Sequence, residues 1–358
     1  MALLQSGYSK RCSDSGLNNR NGECKNSIDY QNISIREFDM QIINTTQVDD
    51  ALSFDTLLKA MQQGFARDFG MPKRNVYELD NSDGNHDAFA VLPAWNQNVI
   101  GVKAFTYFPE NNQAGYHSLY SKIMLFSRTH GEPLALVDGT RITLWRTATI
   151  SALASRYLSR ENSEHLVFFG SGNLAEYMVR AHLAVRDFKR VTLVARNQQK
   201  VSDLQTTLQN TFTDIVFSIA KSTEKLIHSA DVISCATGSP TPLFDGNWLK
   251  AGTHVDLVGN HQSEHRECDS TTITRSSVYV DSKINVLNEA GELLLPIQEG
   301  VFSDQNICAE LADLAKINAL ARINENEITL FKTVGTALSD LVAAYLVYQT
   351  INLLTEQN

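Results

Sequence analysis

Residues 165–183 read HLVFFGSGNLAEYMVRAHL. His165–Phe169 is a continuous apolar run of strand length, Gly170-Ser171-Gly172 follows at once, and helical spacing begins after it. A fully apolar strand that passes through a glycine turn into a helix opens a doubly wound α/β unit. The stretch Gly170-Ser171-Gly172-Asn173-Leu174-Ala175 is a GxGxxA fingerprint. Its first glycine allows the tight turn, its second lets backbone approach a pyrophosphate, and Ala175 is small enough for helix to pack on strand. At Asn173 and Leu174 the helix N-terminus offers unpaired N–H groups and the positive end of its dipole. A lone GxGxxA is a weak signal; here it stands in the required strand–turn–helix context.

The alternation continues downstream. Arg190–Val194, Ile215–Ala220, Asp231–Cys235, His254–Val258 and Val278–Val280 are short strand-like runs, with a helix over Val201–Leu208 between the first two. Such alternation predicts a Rossmann-type parallel sheet. Upstream the pattern differs. Gln41-Ile42-Ile43 reads as a short strand, and Asp49, Asp50 or Ser53 can cap a helix carrying Leu57, Leu58, Met61 and Phe65, closed by Gly70 and Pro72. From about 74 to 137, the runs Ala88–Leu92, Val99–Phe105 and Lys122–Phe126 suggest an antiparallel meander. Thr147–Leu158 reads as an Ala-rich helix, and the last helix, 333–351, is long enough to return to the first half. The chain is expected to divide into a flexible polar extension (1–39), an α+β domain (40–145 with 330–358), and an inserted dinucleotide domain (146–329).

Composition narrows the function classes. The 358 residues carry 31 Lys and Arg against 40 Asp and Glu, a net charge of −9, with 43% apolar residues. That balance is globular, enough for two cores, and gives no bulk attraction for nucleic acid or an anionic membrane. No run of about 18 apolar residues suggests a transmembrane helix, and the N-terminal apolar run is too short for a secretory signal. The five cysteines are scattered and form no CxxC pair, so reduced thiols in a cytoplasmic setting are expected. His261 and His265 stand at HxxxH spacing, but His254 lies in a strand and no cysteine pairing accompanies them, so no metal is expected.

The corner after the second strand separates cofactors. NAD sites usually place an acid there to hold the ribose 2′-hydroxyl. This chain reads Val194-Ala195-Arg196-Asn197-Gln198, with no acid before Asp203. A cation attracts a 2′-phosphate, so NADPH is favoured over NADH; with Arg196 projecting into water, NADH is the alternative. Thr237, in Cys235-Ala236-Thr237-Gly238, ends a later strand and is expected along the cofactor path, as are Val258 and Thr147.

Three cations stand outside the dinucleotide stretch: Arg74, Lys103 and Arg146. Lys103 interrupts an apolar strand, and a buried lysine needs an anionic partner or a depressed pKa. Together with GVKAF, GEPLALVDGTRITLWRTATISALA, GSGNLA, SADVISCATGSPTPLF, GTHVDLVGNHQSEHRECD and LNEAGELLLPIQEG, they resemble the ornithine cyclodeaminase/μ-crystallin family over about Met40–Ile351. The resemblance implies a homodimer in which the α+β domain serves substrate binding and dimerisation. It also implies that Arg146, Lys103 and Arg74 (with Lys73 adjacent) surround a substrate carboxylate. Cyclodeaminases of the family carry an Asp where this chain has His261, which argues against that chemistry; Asp256 precedes the turn and is not its equivalent. The resemblance therefore implies NAD(P)H-dependent reduction of a cyclic imine carboxylate, Δ1-pyrroline-2-carboxylate to L-proline, with the six-membered homologue going to L-pipecolate. The alternatives are an ornithine or lysine cyclodeaminase, an alanine dehydrogenase-like enzyme, and a non-catalytic ligand carrier. Lys103, a water or His261 are the candidate proton donors.

Overall fold

A computed structural model describes residues 39–79 and 87–356. The expected extension, 1–39, lies outside the described residues but for its last position.

Two sheets organise the chain. The first has six strands: β1 (Gln41–Ile43), β2 (Asn75–Glu78), β3 (Ala88–Trp95), β4 (Val99–Tyr107), β5 (Leu119–Ser127) and β6 (Pro133–Asp138). Their spatial order is β1-β6-β5-β4-β3-β2, an antiparallel meander with β1 added parallel to β6. In β4, Val99, Gly101 and Lys103 alternate onto the buried face, which packs on helices. Helix α1 (Thr45–Ala51) is capped by Asn44 and α2 (Phe54–Ala66) by Ser53. Of the three expected caps only Ser53 acts as one, because a separate short helix takes up Asp49 and Asp50. Arg67, rather than Gly70, closes α2.

The next helix, α3 (Gly139–Leu158), starts eight residues before the expected Thr147. Its cap is Asp138, whose carboxylate accepts from Arg141 N at 2.8 Å. The lengthening has a consequence for the domain division: residue 146 falls in mid-helix, so no linker separates the two sheets there.

The second sheet is all parallel. Strands β7 (His165–Phe169), β8 (Arg190–Val194), β9 (Val216–Ile219), β10 (Val232–Cys235), β11 (His254–Leu257), β12 (Ser277–Val280), β13 (Ile307–Glu310) and β14 (Thr329–Lys332) run in the order β13-β12-β14-β11-β10-β7-β8-β9. Helices α4 (Ala175–Leu183) and α5 (Gln198–Thr211) follow β7 and β8. Strands β13 and β14 have no counterpart in the sequence reading. Because β14 pairs with both β11 and β12, residues 330–332 belong to this sheet rather than to the returning segment.

The C-terminal helix, Ala337–Glu356, is long and apolar enough by composition to cross a membrane. Its apolar residues are instead used inside the fold. Leu338, Leu341, Ala343, Ala344 and Val347 are buried, and the helix packs on α2, α3 and β4.

Candidate active site

The glycine turn has the geometry its sequence demands. Gly170 takes φ +139°, and a Cβ there would stand 2.8 Å from Ala236 O, so only glycine fits. Gly172 is the opposite case: a Cβ there would meet nothing within 4 Å. The N-cap of α4 is Leu174, which makes no side-chain capping bond; Ala175 N closes the turn onto Gly172 O at 2.9 Å, and the helix N-terminus directs its positive end to this turn. A cavity of about 490 Å³ opens beside this turn. Gly170, Gly172, Arg196, Asn197 and Thr237 line it, as expected, and Lys200 and Lys221 join Arg196 around it. Asn197 caps α5 through Lys200 N at 3.0 Å, which presents the first turn of that helix to the cavity. A dinucleotide with a phosphorylated ribose fits this donor set. Four expected cofactor residues do not line the cavity. Asn173 is exposed on the turn, Leu174 leans into the core, Thr147 is buried in α3, and Val258 directly follows β11 with its N–H given to Cys235 O.

Two loops at the same sheet edge are stapled by a residue the sequence reading did not single out. Glu267 accepts from Thr237 N at 2.7 Å, Thr237 Oγ1 at 2.8 Å and Gly259 N at 2.8 Å. A Cβ at Gly259 would sit 1.9 Å from Thr237 O, so the two loops touch backbone to backbone. Burial pushes the Glu267 carboxyl up to about 7, with Lys332 pulling down and Glu292 pushing up. Lys332 pairs with Glu292 at 2.9 Å and donates to Asn260 O at 2.7 Å, both side chains fully buried.

The chain leaving Lys332 leads to the cations. Asp281 Oδ2 accepts from Val334 N at 3.1 Å and Gly335 N at 2.8 Å, and from the Thr333 hydroxyl at 2.5 Å, which fixes that loop. Gly335, at φ +87°, leaves room for Arg146, whose Nη1 would lie 2.8 Å from a Cβ there. Arg74 Nη1 donates to Val334 O at 3.4 Å, and its guanidinium pairs with Glu289 through Nε at 2.7 Å and through Nη2. The neighbouring Lys73 is exposed and bonds Asn288 Oδ1 at 3.0 Å, so Arg74 is the cation turned toward this loop.

Lys103 and Arg146 meet on one carboxylate. Asp340 Oδ1 takes Lys103 Nζ at 3.0 Å and Arg146 Nε at 3.0 Å. Thr143, one turn before Arg146 on α3, receives a second Lys103 bond at 2.6 Å. Gly101 makes this approach possible: a Cβ there would lie 2.5 Å from Leu341 Cδ1, so its absence lets the C-terminal helix dock close to Lys103. Burial lowers the Lys103 pKa to about 8; Asp340 opposes that shift, while Arg146 and Arg74 add to it. All three expected cations therefore share one electrostatic neighbourhood. Asp340, Glu289 and Glu267 were missed. Asp340 had a signal, an acid interrupting the apolar stripe of the last helix, just as Lys103 interrupts an apolar strand.

The remaining expectations resolve locally. His261 is exposed, and its imidazole is held below the usual value by the surrounding protein and by Lys332 and Arg74, so it is neutral at pH 7. Asp256 is buried in β11, accepting from Ser234 Oγ at 2.7 Å beside His182 Nε2 at 3.3 Å. Both features leave the turn after β11 without a carboxylate at the position of His261.

Strands β7, β11 and β14 are parallel, so the glycine turn and the Val334–Gly335 loop leave the same edge of the sheet. With two strands between β7 and β14, they stand about 14 Å apart at the usual strand spacing. In open α/β sheets ligands bind along that carboxyl edge.

Comparison with known proteins agrees with this layout. The profile of the ornithine cyclodeaminase/mu-crystallin family matches residues 39–353. A Δ1-pyrroline-2-carboxylate reductase of Colwellia psychrerythraea is 54% identical over 314 residues, 87% of this chain and 99% of its own length. One from Bacillus cereus is 35% identical, covering 70% of this chain and 77% of its own. Among solved structures, Thermococcus litoralis Δ1-pyrroline-2-carboxylate reductase in complex with NADH and L-proline superposes with a TM-score of 0.82 at 28% identity, covering 88% of this chain and 98% of that one.

Proposed function

This chain belongs to the ornithine cyclodeaminase/mu-crystallin family, and from that premise we propose that it reduces Δ1-pyrroline-2-carboxylate to L-proline with a reduced nicotinamide dinucleotide, NADPH in preference to NADH. The observation that carries this reading is the approach of Arg74 and Arg146 to the Val334–Gly335 loop, with Lys103 joined to Arg146 through Asp340, at the same sheet edge as the glycine turn. A relative named for this activity matches 87% of this chain at 54% identity.

The substrate presents a carboxylate beside a C=N carbon. Arg146 uses Nε for Asp340, and its two terminal nitrogens are left to grip that carboxylate as a fork. Arg74 closes the clamp from the other side of the loop. Bound reduced nicotinamide supplies the hydride. As the imine carbon accepts it, the C=N π pair moves to nitrogen, and the Lys103 ammonium gives that nitrogen a proton. A lysine at about 8 is charged at pH 7 yet acidic enough to donate, which suits a general acid. His261, neutral and exposed, suits the role less well. Preference for NADPH rests on Arg196, Lys200 and Lys221 around the cavity, with no acid on its lining.

The first sheet supports a homodimeric assembly. Its outward face stays apolar where a one-sided antiparallel sheet is normally polar. Ile42, Phe89, Trp95 and Tyr120 are exposed there, beside half-buried Val102 and Met124. A second copy of the chain covers this face in a homodimer, and the α+β half carries dimerisation as well as the clamp. Buried, unpaired Cys235 and Cys268 fit a cytoplasmic enzyme.

A rate matrix tests the reading: NADPH and NADH against the five-membered imine, its six-membered homologue and ornithine. The expected result is fastest oxidation of NADPH with Δ1-pyrroline-2-carboxylate, with kcat/KM falling above about pH 8 as Lys103 loses its proton. Ammonia release from ornithine without imine reduction overturns it.

A further inference from the structure

Asp340 has a place in the site that packing does not explain. Only 2% of its side chain is exposed, one carboxylate oxygen serves both Lys103 and Arg146, and Oδ2 is buried without a hydrogen-bond partner. A purely structural bridge between two cations would use both oxygens, and a buried orphan acceptor is costly to retain. Position is enforced as well as charge, since the next residue, Leu341, seats in the notch at Gly101, two residues before Lys103. With two cations sharing one carboxylate, this part of the clamp keeps one surplus positive charge, the match for a single substrate carboxylate.

We propose that Asp340 is the positioning residue of the clamp: it holds Lys103 in its charged, proton-giving form and aims Arg146, so that the clamp accepts one carboxylate and can protonate the ring nitrogen. This rests on the proposed function. The groups facing Lys103 are Asp340 from the C-terminal helix, Arg146 and Thr143 from α3, and Arg74 from the segment before β2; in-register Leu92 of β3 and Ile123 of β5 are apolar. Asp340 is the one acid among them, and it works against burial and two cations to keep the ammonium charged.

The test is the pH dependence of Asp340→Asn, read two ways: kcat/KM for Δ1-pyrroline-2-carboxylate, and calorimetric binding of pyrrole-2-carboxylate, a planar ring carboxylate that needs the clamp but no hydride. The basic limb of both should move about one pH unit or more toward acid, with kcat/KM at pH 7.5 down roughly tenfold or more. NADPH affinity should stay within about threefold, because its cavity is remote from the clamp. Asp340→Glu, which keeps the charge but shifts the oxygen, should retain the wild-type limb with a raised KM. An unmoved limb in a D340N enzyme that still binds NADPH overturns the proposal. If D340N fails to bind NADPH, D340E decides: a retained limb supports the proposal, and a limb displaced toward acid overturns it. Absence of imine turnover in the wild type defeats the proposed function alone, because the pyrrole-2-carboxylate limb still reads Asp340.

Discussion

The glycine turn after β7 and the cation cluster around Asp340 both present positive potential to an anion, by opposite means. The turn is made of backbone: a positive-φ glycine, a helix N-terminus without a side-chain cap, and an open cavity. The cluster is made of side chains from five distant segments, buried or half-buried and balanced against acids. A backbone site tolerates substitution except where a Cβ collides. A side-chain site fails when one charge is removed, because its partner is left buried and uncompensated.

Arg146→Ala puts that contrast to its severest test. Imine kcat/KM should fall roughly 10²- to 10³-fold, the loss expected when the guanidinium fork that grips the substrate carboxylate is removed. NADPH affinity, followed by nucleotide fluorescence quenching, should change by less than about twofold if the two sites are independent. Gly170→Ala is the reciprocal case. Strain at φ +139° and the contact with Ala236 O should weaken the dinucleotide roughly tenfold or more, with pyrrole-2-carboxylate binding retained. Equal damage to both ligands in either variant would dissolve the distinction. Arg196→Ala should cost about tenfold in KM for NADPH and leave NADH unchanged, the loss of one charge-assisted contact.

A smaller effect separates the regions by stability. His254 lies buried in β11 with its pKa lowered to about 3 by burial, and its Nδ1 is bonded to Thr329 Oγ1 at 3.0 Å. In the unfolded chain it titrates near its ordinary 6.5, so the unfolded state takes up the proton first. Stability contributed by the neutral ring is present above 6.5 and declines as pH falls from there toward 3. Thermal melts should show a lower Tm at pH 5 than at pH 7, with the difference reduced in His254→Gln.

The same contrast explains what could be read from the chain beforehand. The glycine turn is contiguous, so Gly170 and Gly172 were legible from local pattern, and Arg196 and Thr237 from their places just past the ends of apolar strands. The strand pattern also revealed the meander and the parallel sheet. The first two turns of helix α3 escape an apolar pattern because Thr143 and Arg146 are polar positions on its site-facing side, where burial by charge replaces apolar periodicity, and Arg141 on another face pairs with Asp49 and Tyr177. Strands β13 and β14 were missed although equally short strands were found: in β13 only Ile307 is buried, and β14 pairs Leu330 and Phe331 with a buried lysine, Lys332, so neither shows a continuous apolar run. Arg74, Lys103 and Arg146 stood out as cations, but their partners Glu289 and Asp340 lie 215 and 237 residues from Arg74 and Lys103. No local spacing can pair residues so far apart. Thr147 and Val258 look equivalent to their neighbours in sequence, and only the turn of the helix and the end of the strand place them off the cavity.

The position of β14 sets the timetable of maturation. It is the third strand of its sheet, wedged between β12 and β11, although it is made after all seven others. Asp340 emerges from the ribosome later still. A nascent chain of 320 residues therefore has a gap in the middle of one sheet and a lysine in the other with no counter-ion, so neither ligand has a finished home until residues 329–340 have been made.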